Sequence, residues 1–278
     1  MSNYHESEET YILGHKSEAV QRLLRQGQML NPFTPRLLED AGISRGMKVL
    51  DVGCGPGDVS LIVAELVGEE GSVLGVDTNA SALQVAQARA QATSLKQVSF
   101  LAADIHDLPL EQEFDAVVGR LILQHMPEPI STLRRLVSQL RPGSIVAFQE
   151  FDIPDQSDAT MPASPLWGQA INWCRYTFQR AGVELRMGMK LYSTFLAAGL
   201  PVPQLRYEAP IGVGPEWIGY EVLADTVRVL LPLIQKFDII TVEEIEIETL
   251  AQRLRDEIVG LGGVARFLSL VSAWTRTV

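Results

Sequence analysis

A chain of 278 residues with 46% hydrophobic content carries enough apolar material to bury a large core. Its formal net charge of −11 and the lack of a long Lys/Arg run argue against a nucleic-acid partner held through phosphate contacts, and no apolar stretch reaches the length of a membrane span. The two cysteines, Cys54 and Cys174, lie far apart without a C-x-x-C spacing, and the polar, acidic first ten residues do not read as a signal peptide, so the expectation is a cytoplasmic protein with no metal centre and no disulfide framework.

In chain order, residues 1–11 read as disordered or adaptable. Ala19, Val20, Leu23 and Leu24 have the spacing of a helix over 17–30, which Asn31-Pro32-Phe33-Thr34-Pro35 breaks, and 36–41 reads as a second short helix. Strand and helix then alternate. Strands are expected at 48–52, 72–76, 98–102, 116–118 (with 121–123 continuing the apolar run) and 145–148. Helices are expected at 59–67, 80–92 with Asn79 as N-cap, and 130–140, ended by Arg141-Pro142-Gly143. Such alternation predicts a parallel sheet covered on both faces. Beyond Phe151 the rhythm changes. A polar loop covers 154–165, and an aromatic-rich helix 167–180. A short helix at 191–198 ends at Gly199. A strand is expected at 202–207, long helical segments at 216–236 and 242–259, and a last strand at 267–274. The run Glu243-Glu244-Ile245-Glu246-Ile247-Glu248 reads as a solvated helix face.

The motif that carries the chemistry is Val49-Leu50-Asp51-Val52-Gly53-Cys54-Gly55-Pro56-Gly57-Asp58. A strand runs into three alternating glycines, where the missing Cβ atoms let a ligand press on the backbone. A dinucleotide fingerprint would read G-x-G-x-x-G; here the third glycine arrives one residue early, and Asp58 stands where a pyrophosphate would need bare N–H groups. A carboxylate at that point predicts a ligand with an adenosine, a positive charge and no phosphate, for which S-adenosylmethionine (SAM) is the candidate. Ligands of doubly wound sheets sit at the carboxyl ends of the strands. The second strand ends at Asp77, suited to accept both ribose hydroxyls. The third is followed by Asp104, placed to accept from an adenine amino group, with Ile105 to cover the ring. The fourth leads to Arg120, beside the glycine loop. Asp51, inside the first strand, reads as a brace for that loop.

Taken together, 49–57, Val76-Asp77, Ala103-Asp104 and Phe114-Asp115 stand in order, and the stretch from about Met47 to Asp152 resembles the class I SAM-dependent methyltransferases, of the bacterial small-molecule type related to quinone-biosynthesis C-methyltransferases. The resemblance implies an α/β, Rossmann-like, doubly wound seven-stranded sheet, mostly parallel with the last strand antiparallel, carrying N-terminal helices and helical lid insertions. It divides the chain into a lid segment (1–45), a SAM-binding core (46–153) and a region that completes the sheet and adds substrate-lid helices (154–278). It implies that Gly53, Gly55 and Gly57 bring backbone to SAM, that Asp77 binds its ribose, that Asp104 lies near its adenine, and that Tyr11 and Gln28 close over its methionine portion. Cys54, a small filler in the loop, Thr78, Ile105 and Arg120 complete the expected cofactor-binding set.

Acceptor chemistry is less legible. His125, after the fourth strand, is either a base near the acceptor or a cap or loop brace, and His15 has the same two readings. Glu150 and Asp152, at the end of the fifth strand, either meet the acceptor or bind backbone or a neighbouring arginine. Trp167, Trp173, Tyr176 and Phe178 are either core or a substrate wall. A base is needed only if the acceptor must lose a proton. The expected reaction is in-line transfer of the SAM methyl group to an O, N or C atom of a small organic acceptor, leaving S-adenosylhomocysteine, by a monomer or homodimer without metal, nucleic-acid or membrane partners. RNA or protein methylation, or SAM binding without transfer, are the alternatives.

Overall fold

The computed structural model describes residues 17–107, 114–138, 140–154 and 159–278. The expectations for 1–11, Tyr11 and His15 lie outside the described residues. The elements follow the chain as α1 (Ser17–Leu30), α2 (Thr34–Ala41), β1 (Lys48–Val52), α3 (Asp58–Val67), β2 (Ser72–Asp77), α4 (Ala80–Ala92), β3 (Val98–Ala102) and β4 (Ala116–Arg120). A 3₁₀ turn (Leu123–His125) leads into α5 (Pro129–Val137), β5 (Ile145–Asp152), β6 (Thr160–Met161), α6 (Pro165–Arg180), α7 (Met187–Ala197) and β7 (Gln204–Glu208). The chain continues as β8 (Ile211–Val213), α8 (Gly219–Lys236), α9 (Val242–Ile245), α10 (Leu250–Gly260), β9 (Val264–Arg266) and β10 (Ser269–Arg276). No described helix is long and apolar enough to cross a membrane.

Seven strands form one sheet in the order β3-β2-β1-β4-β5-β10-β7. The neighbouring pairs β1–β2, β2–β3, β1–β4 and β4–β5 are parallel. β10 is antiparallel to β7, and its end at Thr277 exchanges hydrogen bonds with Ser144 at the start of β5, so it opposes β5 as well. The strand order reverses between β1 and β4, which makes the carboxyl ends of these two strands the place for a ligand.

The strands bury both faces. On one, Leu50, Val117, Val146 and Phe148 pack with Leu133 and Leu136 of α5 and Leu191 and Phe195 of α7. On the other, Val49, Val118 and Ala147 pack with Leu37 and Leu38 of α2 and Val63 and Val67 of α3. Adjacent residues such as Val117 and Val118 therefore serve opposite faces, as the two-residue period of a strand requires. Every residue of β5 is buried.

The chain forms two compact units. The sheet unit comprises 30–152, 186–208 and 270–278; the other takes its described residues from 17–29, 153–185 and 209–269. The second unit contains α6, α8, α10 and a small antiparallel sheet of order β6-β9-β8. Its aromatic residues form core: Trp167 is fully buried and stacks on Trp217 at 5.4 Å, with Tyr220 and Phe267 edge-on to it. Trp173 and Phe178 are buried as well, whereas Tyr176 is exposed.

Several local expectations need correction: α5 ends at Val137, α7 begins at Met187, and the last strand runs from Ser269 to Arg276. The apolar run 121–123 does not prolong β4: the chain leaves the strand at Arg120, and Leu121 takes a left-handed φ of 57° before the 3₁₀ turn. The helix expected over 242–259 is two helices. A capping box between Thr241 and Glu244 starts α9, Glu246 stops it at φ 48°, and α10 begins at Leu250. The strand expected at 145–148 runs on to Asp152, because its buried polar residues Gln149, Glu150 and Asp152 all find hydrogen-bond partners.

Candidate functional site

Five features stand at the carboxyl ends of β1 to β5. The first is the glycine loop. The N–H groups of Gly53 and Cys54 both donate to the Val76 carbonyl (2.8 and 3.0 Å), which folds the loop back over the end of β2. Gly53, Gly55 and Gly57 all have positive φ (68°, 52° and 86°). A Cβ on Gly53 would stand 2.6 Å from the Ile122 side chain, and one on Gly57 2.9 Å from the Ala86 Cβ. Conformation and space both demand glycine there. Cys54 does not present its thiol outward: it is buried, with Sγ against Gly75, the place where a Cβ on that glycine would come within 2.9 Å of the sulfur. Its contribution to a ligand is limited to backbone.

The second feature is Asp77. Its Oδ2 accepts from the Gly55 N–H and its Oδ1 from the Asn79 N–H, both at 2.8 Å. The carboxylate thus ties the glycine loop to the start of α4, which Asn79 caps by accepting from the Ala82 N–H. Two of roughly four acceptor positions are used by these bonds. Thr78 beside it is exposed. The third feature is Asp104, exposed, with Oδ1 accepting from the His106 N–H at 2.8 Å, and Ile105, half-buried against the core.

The fourth feature is a buried charge network under the loop. Asp58 opens α3, but its carboxylate does not face a ligand alone. Arg89 donates to it at 2.9 Å and also holds the Pro56 carbonyl at 2.6 Å; Arg120 Nη2 lies 4.0 Å away. Two arginines thus offset the Asp58 charge, a pairing that its place at the start of α3 did not reveal. Arg120 is buried and donates through Nη1 to Asn31 (3.1 Å) and Thr34 (2.9 Å). Thr34 in turn donates to Gln149, whose amide donates to Ser272. Burial pulls the Arg120 guanidinium below its ordinary value, and Asp58 and Asp51 counter that pull. Asp51, also buried, accepts from the Ser60 hydroxyl through Oδ2 at 2.5 Å, while its Oδ1 has no partner among the described residues. Burial raises its carboxyl to about 7, against the opposing pull of Ser60 and Arg120.

The fifth feature is the turn after β4. Glu150 is fully buried, and its carboxylate accepts from three successive N–H groups, Ile122 (3.0 Å), Leu123 (2.8 Å) and Gln124 (3.3 Å). The catalytic reading of Glu150 is corrected accordingly: the carboxylate is committed to backbone and holds the 3₁₀ turn in place. Burial pushes it up to about 7 despite those bonds. His125 lies in this turn, half-buried, with Nε2 3.2 Å from the Gln124 side-chain nitrogen. Asp152 is taken by Arg186, at 2.6 Å and 3.4 Å.

Gln28 is exposed on α1 in the other unit. Sequence reading missed Asn31, Thr34, Gln149 and Gln124. The pairing of Thr34 with Arg120 spans 86 residues and leaves no local trace; polar residues inside apolar runs, Gln149 and Gln124, were the signal available.

A methyltransferase-domain family model matches residues 43–195, which covers β1 to β5, the glycine loop and the Glu150-held turn. The chain is a member of the class I SAM-dependent methyltransferases. Its cofactor is SAM. Among curated relatives, the demethylmenaquinone methyltransferase of Bacillus cereus is 30% identical over 175 residues (59% of this chain, 74% of the relative). That of Staphylococcus aureus is 32% identical over 120 residues (43% and 49%). The chain thus spans from about half to three-quarters of the length of these two relatives. Solved structures share the fold at low identity. A Bacillus halodurans protein described as a methyltransferase aligns with a TM-score of 0.60 at 18% identity, over 88% of this chain and 98% of its own. A SAM-dependent methyltransferase of Aquifex aeolicus aligns at 0.51 and 20%, over 70% and 92%.

The residues present fit this cofactor. The glycine loop offers backbone where Cβ atoms would intrude, and the buried, unpartnered Asp51 Oδ1 beneath it suits a cationic donor such as an ammonium group.

Proposed function

We propose that this methyltransferase acts on a small organic acceptor and not on RNA or protein. The observation that carries the reading is that the matched curated relatives are named for a menaquinone precursor. The net charge of −11 also disfavours a polyanionic acceptor.

SAM, when bound, supplies a methyl group on a sulfonium that leaves as a neutral thioether. The chain's own residues supply position and a shielded environment. Gly53, Gly55 and Gly57 bring backbone to the cofactor. Asp77 takes its ribose hydroxyls. Asp104 and Ile105 serve the adenine. Asp51 takes the amino group, and Arg120 steadies Asp58 and the loop from below. Glu150 is a positioning residue: it fixes the turn from which Gln124 and His125 are presented. Because an amide NH₂ only donates, the Gln124–His125 contact leaves His125 Nε2 as acceptor, so neutral His125 carries its proton on Nδ1.

The test is transfer of label from methyl-labelled SAM. The acceptors are chemically reduced demethylmenaquinone, bulk tRNA and a cell protein extract, each analysed by mass spectrometry. Label on the quinol supports the reading. Label confined to RNA or protein overturns it.

A further inference from the structure

Gln124 holds an atom that the fold leaves unsatisfied. The side chain is only 6% exposed, and its nitrogen is used by His125, yet Oε1 is buried with no hydrogen-bond partner among the described residues. A buried amide oxygen without a donor is costly, so such groups are uncommon where nothing is to be bound. The position of Gln124 points to what that donor is. Its backbone is pinned by Glu150, and two residues earlier Ile122 stands against Gly53, 2.6 Å from where a Cβ would be. The turn therefore borders the glycine loop at the carboxyl ends of β1 and β4. The neighbouring polar groups are already engaged. Glu150 is spent on three N–H groups, and Asp152 on Arg186.

We propose that Gln124 is a specificity-determining residue for the methyl acceptor, its Oε1 accepting a hydrogen bond from an O–H or N–H group of that molecule. The inference rests on the reading of the chain as a small-molecule methyltransferase. It narrows the acceptor to compounds with a polar hydrogen on an otherwise apolar frame, such as phenols, hydroquinones or aryl amines. An acceptor lacking that hydrogen leaves the amide oxygen buried and unsatisfied, so the site discriminates by polarity between molecules of the same shape.

The experiment uses the full chain saturated with S-adenosylhomocysteine and two probes of similar shape, 1-naphthol and 1-methylnaphthalene, followed by ligand-observed NMR. The parent is expected to bind the naphthol about tenfold more tightly. In Gln124→Leu the preference is expected to vanish, while affinity for S-adenosylhomocysteine, measured by calorimetry, stays at the parental value and Tm does not fall. Gln124→Glu, which keeps an acceptor oxygen, is expected to retain the preference and guards against a folding defect in the leucine variant. Equal or absent binding of the two probes by the cofactor-loaded parent overturns the proposal, as does a preference that survives in Gln124→Leu. A parent that fails to bind S-adenosylhomocysteine overturns the methyltransferase reading instead.

Discussion

Two loops at the carboxyl ends of adjacent strands are built on opposite plans. The loop after β1 is made of backbone: three glycines at positive φ, N–H groups turned onto the Val76 carbonyl, and Asp77 tying Gly55 to α4. The turn after β4 contains no glycine. It is forced by Leu121 at φ 57°, a conformation that a bulky residue adopts only when its surroundings impose it, and a buried carboxylate from β5 holds it. The difference separates tasks. A backbone loop suits a ligand that never changes, whereas a turn held from behind can present different side chains without losing its shape.

Substitutions can break that contrast. The largest effect is expected from Gly53→Val, which places a side chain on Ile122 and strains a left-handed residue; SAM affinity measured by calorimetry should fall by more than about 100-fold. Next, Asp77→Ala removes a carboxylate that shapes the loop and to which the proposed function gives the ribose. Loss of its charge-assisted hydrogen bonds should weaken SAM binding by about 30-fold with the far-ultraviolet circular dichroism unchanged, and parental affinity would sink its assignment.

The turn is probed by pH. Between roughly pH 5 and 7 the Glu150 carboxyl, raised to about 7 by burial, is protonated in the folded chain and ionised in the unfolded one. The unfolded chain then binds fewer protons, so stability falls as pH rises through that window and levels above it. Asp51 acts in the same direction. Glu150→Gln removes one contribution, and urea unfolding should show the variant gaining on the parent by at most about 1 kcal/mol per pH unit up to pH 7. A difference that stays flat would mean that Glu150 is ionised throughout. The smallest effect is expected at Asp104: exposed and already bonded to the His106 N–H, it should cost SAM affinity only about threefold on change to Asn in the same calorimetric assay.

The same contrast explains what could be read from the chain alone. The alternation of strands and helices, the glycine loop, the Asn79 cap and the acids after β2 and β3 follow from local rules of spacing and backbone conformation, and the sheet order agrees with them. Asp58 shows how far local reading reaches. Its place at a helix start was visible, but its partners Arg89, 31 residues on, and Arg120 were not. Likewise nothing near Glu150 in sequence announces that its partners are the N–H groups of residues 122 to 124, and the strained Leu121 sits in a run whose composition reads as strand.

The hydrogen-bonded chain Arg120–Thr34–Gln149–Ser272 has a consequence for the order of assembly. Its last member belongs to β10, the strand inserted between β5 and β7. Contacts so distant in sequence close late, because the entropy of the intervening loops must be overcome first. A nascent chain halted before residue 272 has already made its glycine loop, yet it lacks the residue that completes the support beneath Arg120. The support beneath Arg120 is in this way completed only by the final strand of the sheet.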